Sequence, residues 1–464
     1  MSGLGVAWRV LRAEGARSVV ERAADRAEEA RRRRSFPPAP AGWQPAVPIP
    51  VLNLAATPPA PRLGGVQVQL LRRLEAEARQ RPVALLYGET SGAWRLEVGS
   101  PDGRRASLSF PGGAPAIAAR APVETPLEDP AFAAAVAAAV ERTGARAVHA
   151  EGLAGLPLAS LLGLARQGLP LVLTLHDFAA FCPRPHLLEQ PVERFCDYSR
   201  DLRRCARCLG WPEETEAAGG ALQARRRETA GELLAAAAAL VFVSAFLRSA
   251  HRDLFPGLDA GRQRVIAPAE SGEPPLSSRP SSGGGPLRHL RHVALIGAPA
   301  HKGAAVFAAV VAELAGLGLR WSVYGGGEAA QLARLRSLPS VTVRGYYRNG
   351  TLPRRLRRDR VDLALLLSIV PESYGLALGE CAAAGVPVLA FDHGALGERI
   401  RSLGAGWLVA LSAGPTGVAA AIRAMRQDGL PPAAPAAAVR ALPGPAEAAA
   451  AHAGLYRELG WITP

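Results

Sequence analysis

Lysine is almost missing from this chain of 464 residues: Lys302 stands alone, and every other basic residue among the 54 lysines and arginines is arginine. Where arginine fills nearly every basic position, a solitary lysine points to a need for its compact ammonium. Long apolar runs are missing too. None reaches the roughly 18 residues that a membrane-crossing helix needs, and Leu233 to Leu247, which comes nearest, reads as a helix running into a strand. A secretory leader is not expected, because charges interrupt Trp8, Val10 and Leu11 near the start. The expected location is therefore cytoplasmic.

What is present is ordinary for a globular protein: 49% apolar and 20% charged residues, with length enough for two or three domains. The net charge of +14 is spread along an arginine-, alanine-, proline- and glycine-rich chain. That spread argues against nucleic-acid binding and leaves an anionic membrane surface or lipid-phosphate acceptor as the partner the charge would suit. Residues 1–35 read as one basic amphipathic helix ending in Arg31 to Arg34. It either packs on the main body or lies peripherally at the inner face of the plasma membrane. A proline-rich linker follows to Pro50, closing a segment placed at residues 1–45.

Short apolar runs then alternate with helical periods. Strands are expected at Val51–Ala55, Val83–Tyr87, Trp94–Val98, Ala106–Phe110, Ala147–Ala150, Leu171–Leu175, Leu240–Val243 and Val265–Pro268. Helices are expected over Val66–Arg79, Ala131–Arg142, Leu156–Gln167 and Arg225–Ala238. The low-complexity stretch Glu270–Pro286 reads as a solvated linker. A second βα series starts at His292–Ile296 and continues through Trp321–Tyr324, Val341–Gly345, Leu363–Leu367 and Val386–Phe391. Parallel doubly wound sheets are the expectation, with ligands at strand C-termini and helix N-termini. Arg354–Arg360 reads as solvated surface, and Ala446–Leu459 as an amphipathic C-terminal helix.

Several residues at those edges have chemistry to offer. Gly64-Gly65 opens the first long helix, where bare backbone N–H groups can approach a ligand. His176-Asp177 ends the strand Leu171–Leu175. Gly297 opens a turn that closes on Lys302-Gly303 at a helix start, a setting suited to a diphosphate. Gly325 ends another strand. Glu372 and Glu380 stand eight positions apart around Gly375 and Leu376, and Gly385 fits a left-handed helix cap.

The string Pro371-Glu372, Tyr374-Gly375, Glu380 and Ala384-Gly385-Val386-Pro387 resembles the E-x7-E signature of retaining GT-B glycosyltransferases of the family 4 type. The segment Thr174-Leu175-His176-Asp177-Phe178 and the glycine-to-Lys-Gly turn resemble the same family. The resemblance spans about residues 51–460 and implies GT-B: two Rossmann-like α/β domains facing a cleft. The implied limits are 46–268 for an acceptor domain, 269–287 for a linker, 288–440 for a nucleotide-sugar domain and 441–464 for a helix crossing back.

It implies transfer of a sugar from a nucleotide-sugar to a glycan or lipid-linked acceptor in polysaccharide or cell-surface glycan synthesis, with no catalytic metal. Lys302 and Gly297 would hold the diphosphate, Glu372 the donor sugar, Glu380 the ribose, and His176 would line the sugar pocket. Gly64, Gly65, Gly325, Gly375 and Leu376 would contribute backbone contacts. Two departures stand out: Ala298 replaces the usual arginine after the first glycine, and Leu367 replaces the proline before Ser368. They support one alternative, a non-catalytic GT-B-like binding module; a nucleotide-sugar epimerase is the other, and Lys302 with the E-x7-E unit speaks against it.

Four of the five cysteines, Cys182, Cys196, Cys205 and Cys208, fall within 27 residues. With no leader expected, a structural four-cysteine zinc site is favoured over disulfides. Unpaired buried thiols and a redox cluster remain as alternatives.

Overall fold

A computed structural model of the chain describes residues 3–59, 65–112, 125–270, 290–404 and 406–463, with side chains from residue 5 onward. Gly64 and residues 271–289, most of the expected linker, lie outside the described residues. The chain divides into two compact units, each built from two segments: residues 29–269 with 445–464, and residues 1–28 with 270–444.

In the first of these units, ten strands occur among the described residues. They are β1 (Val51–Ala55), β2 (Val83–Gly88), β3 (Trp94–Gly99), β4 (Arg105–Phe110), β5 (Ala147–Glu151), β6 (Leu171–Leu175), β7 (Leu188–Glu189), β8 (Arg194–Phe195), β9 (Ala239–Phe242) and β10 (Gln263–Val265). Eight form one sheet in the order β10-β9-β6-β5-β1-β2-β3-β4. Its body is parallel, and β3 and β4 add antiparallel to one edge. The apolar runs of β1, β5, β6 and β9 are buried at every position, as strands covered on both faces must be. Local chemistry sets helix limits: Asp129 caps Pro130–Thr143 by accepting from Phe132 N at 3.1 Å, and left-handed Gly144 ends it.

The other unit carries β11 (His292–Ile296), β12 (Arg320–Tyr324), β13 (Val341–Gly345), β14 (Leu363–Leu366), β15 (Val388–Phe391) and β16 (Trp407–Val409). They form an all-parallel sheet ordered β13-β12-β11-β14-β15-β16. This is the doubly wound order whose direction reverses beside β11, between β11 and β14. Both sheets thus have the Rossmann-like α/β character expected from the sequence.

Three expectations need correction. Residues 1–35 form two helices, Gly3–Glu14 and Ala16–Arg34, broken at Gly15, whose φ is 91°. Arg354–Arg360 is not all solvated: Arg355 is buried and pairs with Glu21 of the second helix, because the acidic face of that helix lies on it. Asp25 on the same face is 1% exposed and accepts from Tyr346 Oη at 2.5 Å and Arg348 Nε at 2.7 Å. Finally, Glu270 is no solvated linker residue. It is buried, accepts from Arg399 Nη2 at 2.5 Å and Tyr374 Oη at 2.9 Å, and lies where a side chain on Gly379 would collide with its carboxylate. The C-terminal helix Pro445–Glu458 buries Leu455 and Tyr456 in the unit of residues 29–269.

Candidate functional site

The turn after β11 begins at Gly297 (φ 102°) and closes on Lys302 and Gly303. Gly303 must be glycine: its φ is 83°, and a Cβ there would collide with the carbonyl of Leu367. It caps the helix Ala304–Glu313, so free amides and the Lys302 ammonium gather at one point. Gly325, after β12, packs on this turn, with the Cα of Gly297 3.2 Å from where its Cβ would stand.

Lys302 Nζ pairs directly with Glu372 Oε1; the two side chains are 33% and 14% exposed. Burial pushes the Glu372 carboxyl up, but Lys302, His301 and Ser368 outweigh it and hold the group below its usual range. Left-handed Gly375 (φ 80°) caps the helix that starts at Leu376, and Arg399 donates to the carbonyls of Tyr374 and Gly375 at 3.1 and 2.8 Å. Glu380 is buried on that helix and accepts from the backbone N–H of Gly350, in the loop after β13, at 2.9 Å. Lys302, Glu372, Gly297, Gly325, Gly375, Leu376 and Glu380 therefore stand in one unit, at the strand C-termini and helix N-termini where such sheets bind ligands.

The two departures find structural homes. Ala298 is fully buried in the core of this unit, with Gly327 packed against it, so a guanidinium at that position has no room there. Ser368 is buried, its Oγ 3.1 Å from the carbonyl of His301 and 3.0 Å from that of Val370.

His176 and Gly65 belong to the other unit, and Gly65 begins the helix Gly65–Glu77. His176 Nε2 lies 3.0 Å from Glu151 Oε2, at the adjacent ends of β5 and β6. Behind it is a buried network that sequence reading did not assemble. Arg73 Nη2 donates to Glu151 Oε1 and Asn53 Oδ1 at 2.6 and 2.7 Å, and its Nη1 to Glu77 Oε1 and Tyr456 Oη at 2.7 and 3.1 Å. His149 bridges Tyr456 Oη (2.5 Å) and Thr174 Oγ1 (2.6 Å). Burial holds the His149 ring well below its usual pKa. Burial opposes ionisation of Glu151, yet Arg73 and the histidines keep its carboxyl well below the usual range. Asp177 turns inward to accept from Ala179 N at 2.8 Å, and burial raises its carboxyl.

The four clustered thiols line up differently from the zinc expectation. Among the described residues, the group of three or more His, Cys, Asp or Glu ligand atoms within 4.8 Å of one another is His149, Glu151 and His452; the thiols form no such group. All four are unbridged and half-buried, around the β7–β8 hairpin. Cys208 Sγ accepts from Gln190 N and Cys205 Sγ from Arg227 Nη2, each at 3.4 Å. Burial, with Cys196 and Cys208 nearby, pushes the Cys182 thiol up to about 12. The His149–Glu151–His452 group does not suit a cation either, since the Arg73 guanidinium already sits on Glu151 and both His149 nitrogens are engaged.

Comparison with known proteins bears on the family and the fold. Residues 290–428 match the family of glycosyl transferases group 1, and residues 64–269 match the glycosyl transferase 4-like domain. Sucrose-phosphate synthase from Thermosynechococcus elongatus is similar in structure, with TM-score 0.60, 17% identity, and 89% of this chain and 99% of that one covered. A glycosyltransferase from Rickettsia africae gives 0.53 and 13%, covering 89% and 100%. HepE from Anabaena, solved with UDP, gives 0.52 and 15%, covering 88% and 100%. At these identities the likeness is one of fold. No curated protein sequence matches the chain.

Proposed function

The chain belongs to the GT-B glycosyltransferases of the group 1 and 4-like type, enzymes that move sugar from a nucleotide-sugar, and from that premise we propose that it does so with retention of configuration. The acceptor is a hydroxyl on a glycan or a lipid-linked saccharide. The observation that carries the reading is the lone lysine: Lys302 stands at the amino end of the helix Ala304–Glu313 with its ammonium on Glu372.

Departure of a nucleoside diphosphate leaves negative charge on the phosphate oxygens, and stabilising it is the main electrostatic task of such a site. A diphosphate at this turn would share the ammonium with Glu372 and meet the helix amides. Glu372, kept ionised, then accepts hydrogen bonds from donor-sugar hydroxyls, and buried Glu380 accepts from the ribose. His176 lines the sugar pocket. UDP in HepE, and ADP with acarbose in starch synthase IV from Arabidopsis thaliana, support a nucleoside diphosphate as the leaving group.

A peripheral membrane contact would bring a lipid-linked acceptor close. The helix Gly3–Glu14 supports it by leaving Trp8 56% and Leu11 38% exposed on a face shared with Arg12. Sedimentation with anionic vesicles, lost in Trp8→Glu, is the expected result.

The test is a thermal-shift screen with UDP, GDP, dTDP and ADP, alone and as sugar nucleotides. One base should raise the Tm of the wild type, and Lys302→Ala should abolish that rise. No response from any of them in the wild type overturns the reading.

A further inference from the structure

We propose that Glu151 is a positioning residue for His176, fixing its tautomer and ring orientation for the sugar-transfer site; this rests on His176 lining that site. The two residues end neighbouring parallel strands, where Glu151 of β5 is in register with Thr174 of β6, two residues before His176. They therefore share the sheet edge at which this fold binds ligands.

The carboxylate divides its oxygens. Oε1 faces Arg73 Nη2 at 2.6 Å, and Oε2 faces His176 Nε2 at 3.0 Å. An ionised carboxylate can only accept, so the His176 proton on this side resides on Nε2. In the neutral ring Nδ1 is then the atom with a lone pair, able to accept from a sugar hydroxyl.

Burial makes the arrangement rigid: the side chains of Arg73, Glu151 and His176 are 4%, 3% and 9% exposed. Arg73 is itself fixed from three sides, by Asn53, Glu77 and Tyr456. A carboxylate held this way cannot swing, and it holds the imidazole in one plane. Partners behind a functional histidine commonly govern its tautomer and ring angle.

The experiment is a double-mutant cycle read in kcat. The assay follows release of nucleoside diphosphate from the sugar nucleotide selected by thermal shift, with water as acceptor. Glu151→Gln keeps the shape but can present its amide to the ring and permit the other tautomer. A fall in kcat of about ten- to a hundredfold is expected, with KM for the donor nearly unchanged. Glu151→Asp, which withdraws the carboxylate by one methylene, should fall between Gln and wild type. The signature is non-additivity: Glu151→Gln with His176→Ala should lose no more than His176→Ala alone.

The rise in Tm on adding nucleoside diphosphate, measured on each variant, shows that the folded diphosphate site is intact. Losses that multiply in the double variant overturn the proposal, as does a Glu151→Gln protein with wild-type kcat. Wild-type kcat in His176→Ala would instead remove the reading of His176 beneath it.

Discussion

The two units carry charge in opposite ways. In the unit holding residues 270–444, Lys302 and Glu372 form a half-exposed pair on a turn and a loop, where each is available to a ligand. In the unit holding residues 29–269, Arg73 and Glu151 are almost fully buried and satisfied on every side by protein. The first arrangement is one a substrate can enter and reorganise. The second is a scaffold whose ions hold the folded state, with Glu151 also reaching His176. Loss of the half-exposed pair should therefore appear in binding and turnover, and loss of the buried Arg73 cation first in stability.

Arg73→Met puts that contrast at greatest strain. It leaves the carboxylates of Glu77 and Glu151 buried without their shared cation, and a loss of about 3–5 kcal/mol in unfolding free energy is expected. Denaturant unfolding measures it; a loss as small as that in Lys302→Ala would erase the distinction.

Acid should separate the units next. Burial lowers the pKa of His251 and His452 to about 4 and that of His149 further, all in the unit of residues 29–269. In the unfolded chain these rings take up protons near pH 6.5. Their contribution is thus full above that pH and is lost as pH falls toward 4. For His251 and His452 together the loss between pH 7 and 5.5 is about 2–3 kcal/mol. The other unit has His292, also lowered by burial, as its counterpart. Hydrogen exchange resolved by peptide should show residues 29–269 loosening first on acidification; uniform loosening would contradict the assignment.

The smallest effect sharpens the picture from the other unit. Gly379→Ala places a methyl against the Glu270 carboxylate, and overpacking should lower stability by about 1–2 kcal/mol. Thermal unfolding checks it. Glu270→Ala should relieve the penalty in the double variant, and strict additivity would show the contact to be unimportant.

The same contrast explains what could be read from sequence. Lys302 was visible because it is alone, and the E-x7-E string because its residues follow one another along a single strand–loop–helix unit. Most strands of the two large sheets followed from apolar runs and turn residues, while their order did not. The Arg73 network is assembled from five separate elements, and Arg73 and Tyr456 are 383 residues apart, so no local pattern announces it. Glu270 looked like linker because its neighbours downstream are Ser, Gly and Pro, while its burial is decided by Arg399 and Tyr374, more than a hundred positions away. The break at Gly15 was hidden within a continuous run of helix formers. The cysteine spacing suggested a metal, but spacing does not fix where a half-buried loop points its thiols.

The docking of the first 28 residues also has a consequence in time. Asp25 finds Tyr346 and Arg348, partners more than three hundred residues further along. At ~5–20 residues per second, synthesis takes on the order of 15–60 s to supply them. For that interval two short helices, marginal by themselves, leave the ribosome with Glu14, Glu21, Asp25 and Glu28 waiting. The unit that holds Lys302 draws on residues 1–28 and on residues 270–444, so its first segment must wait for its last.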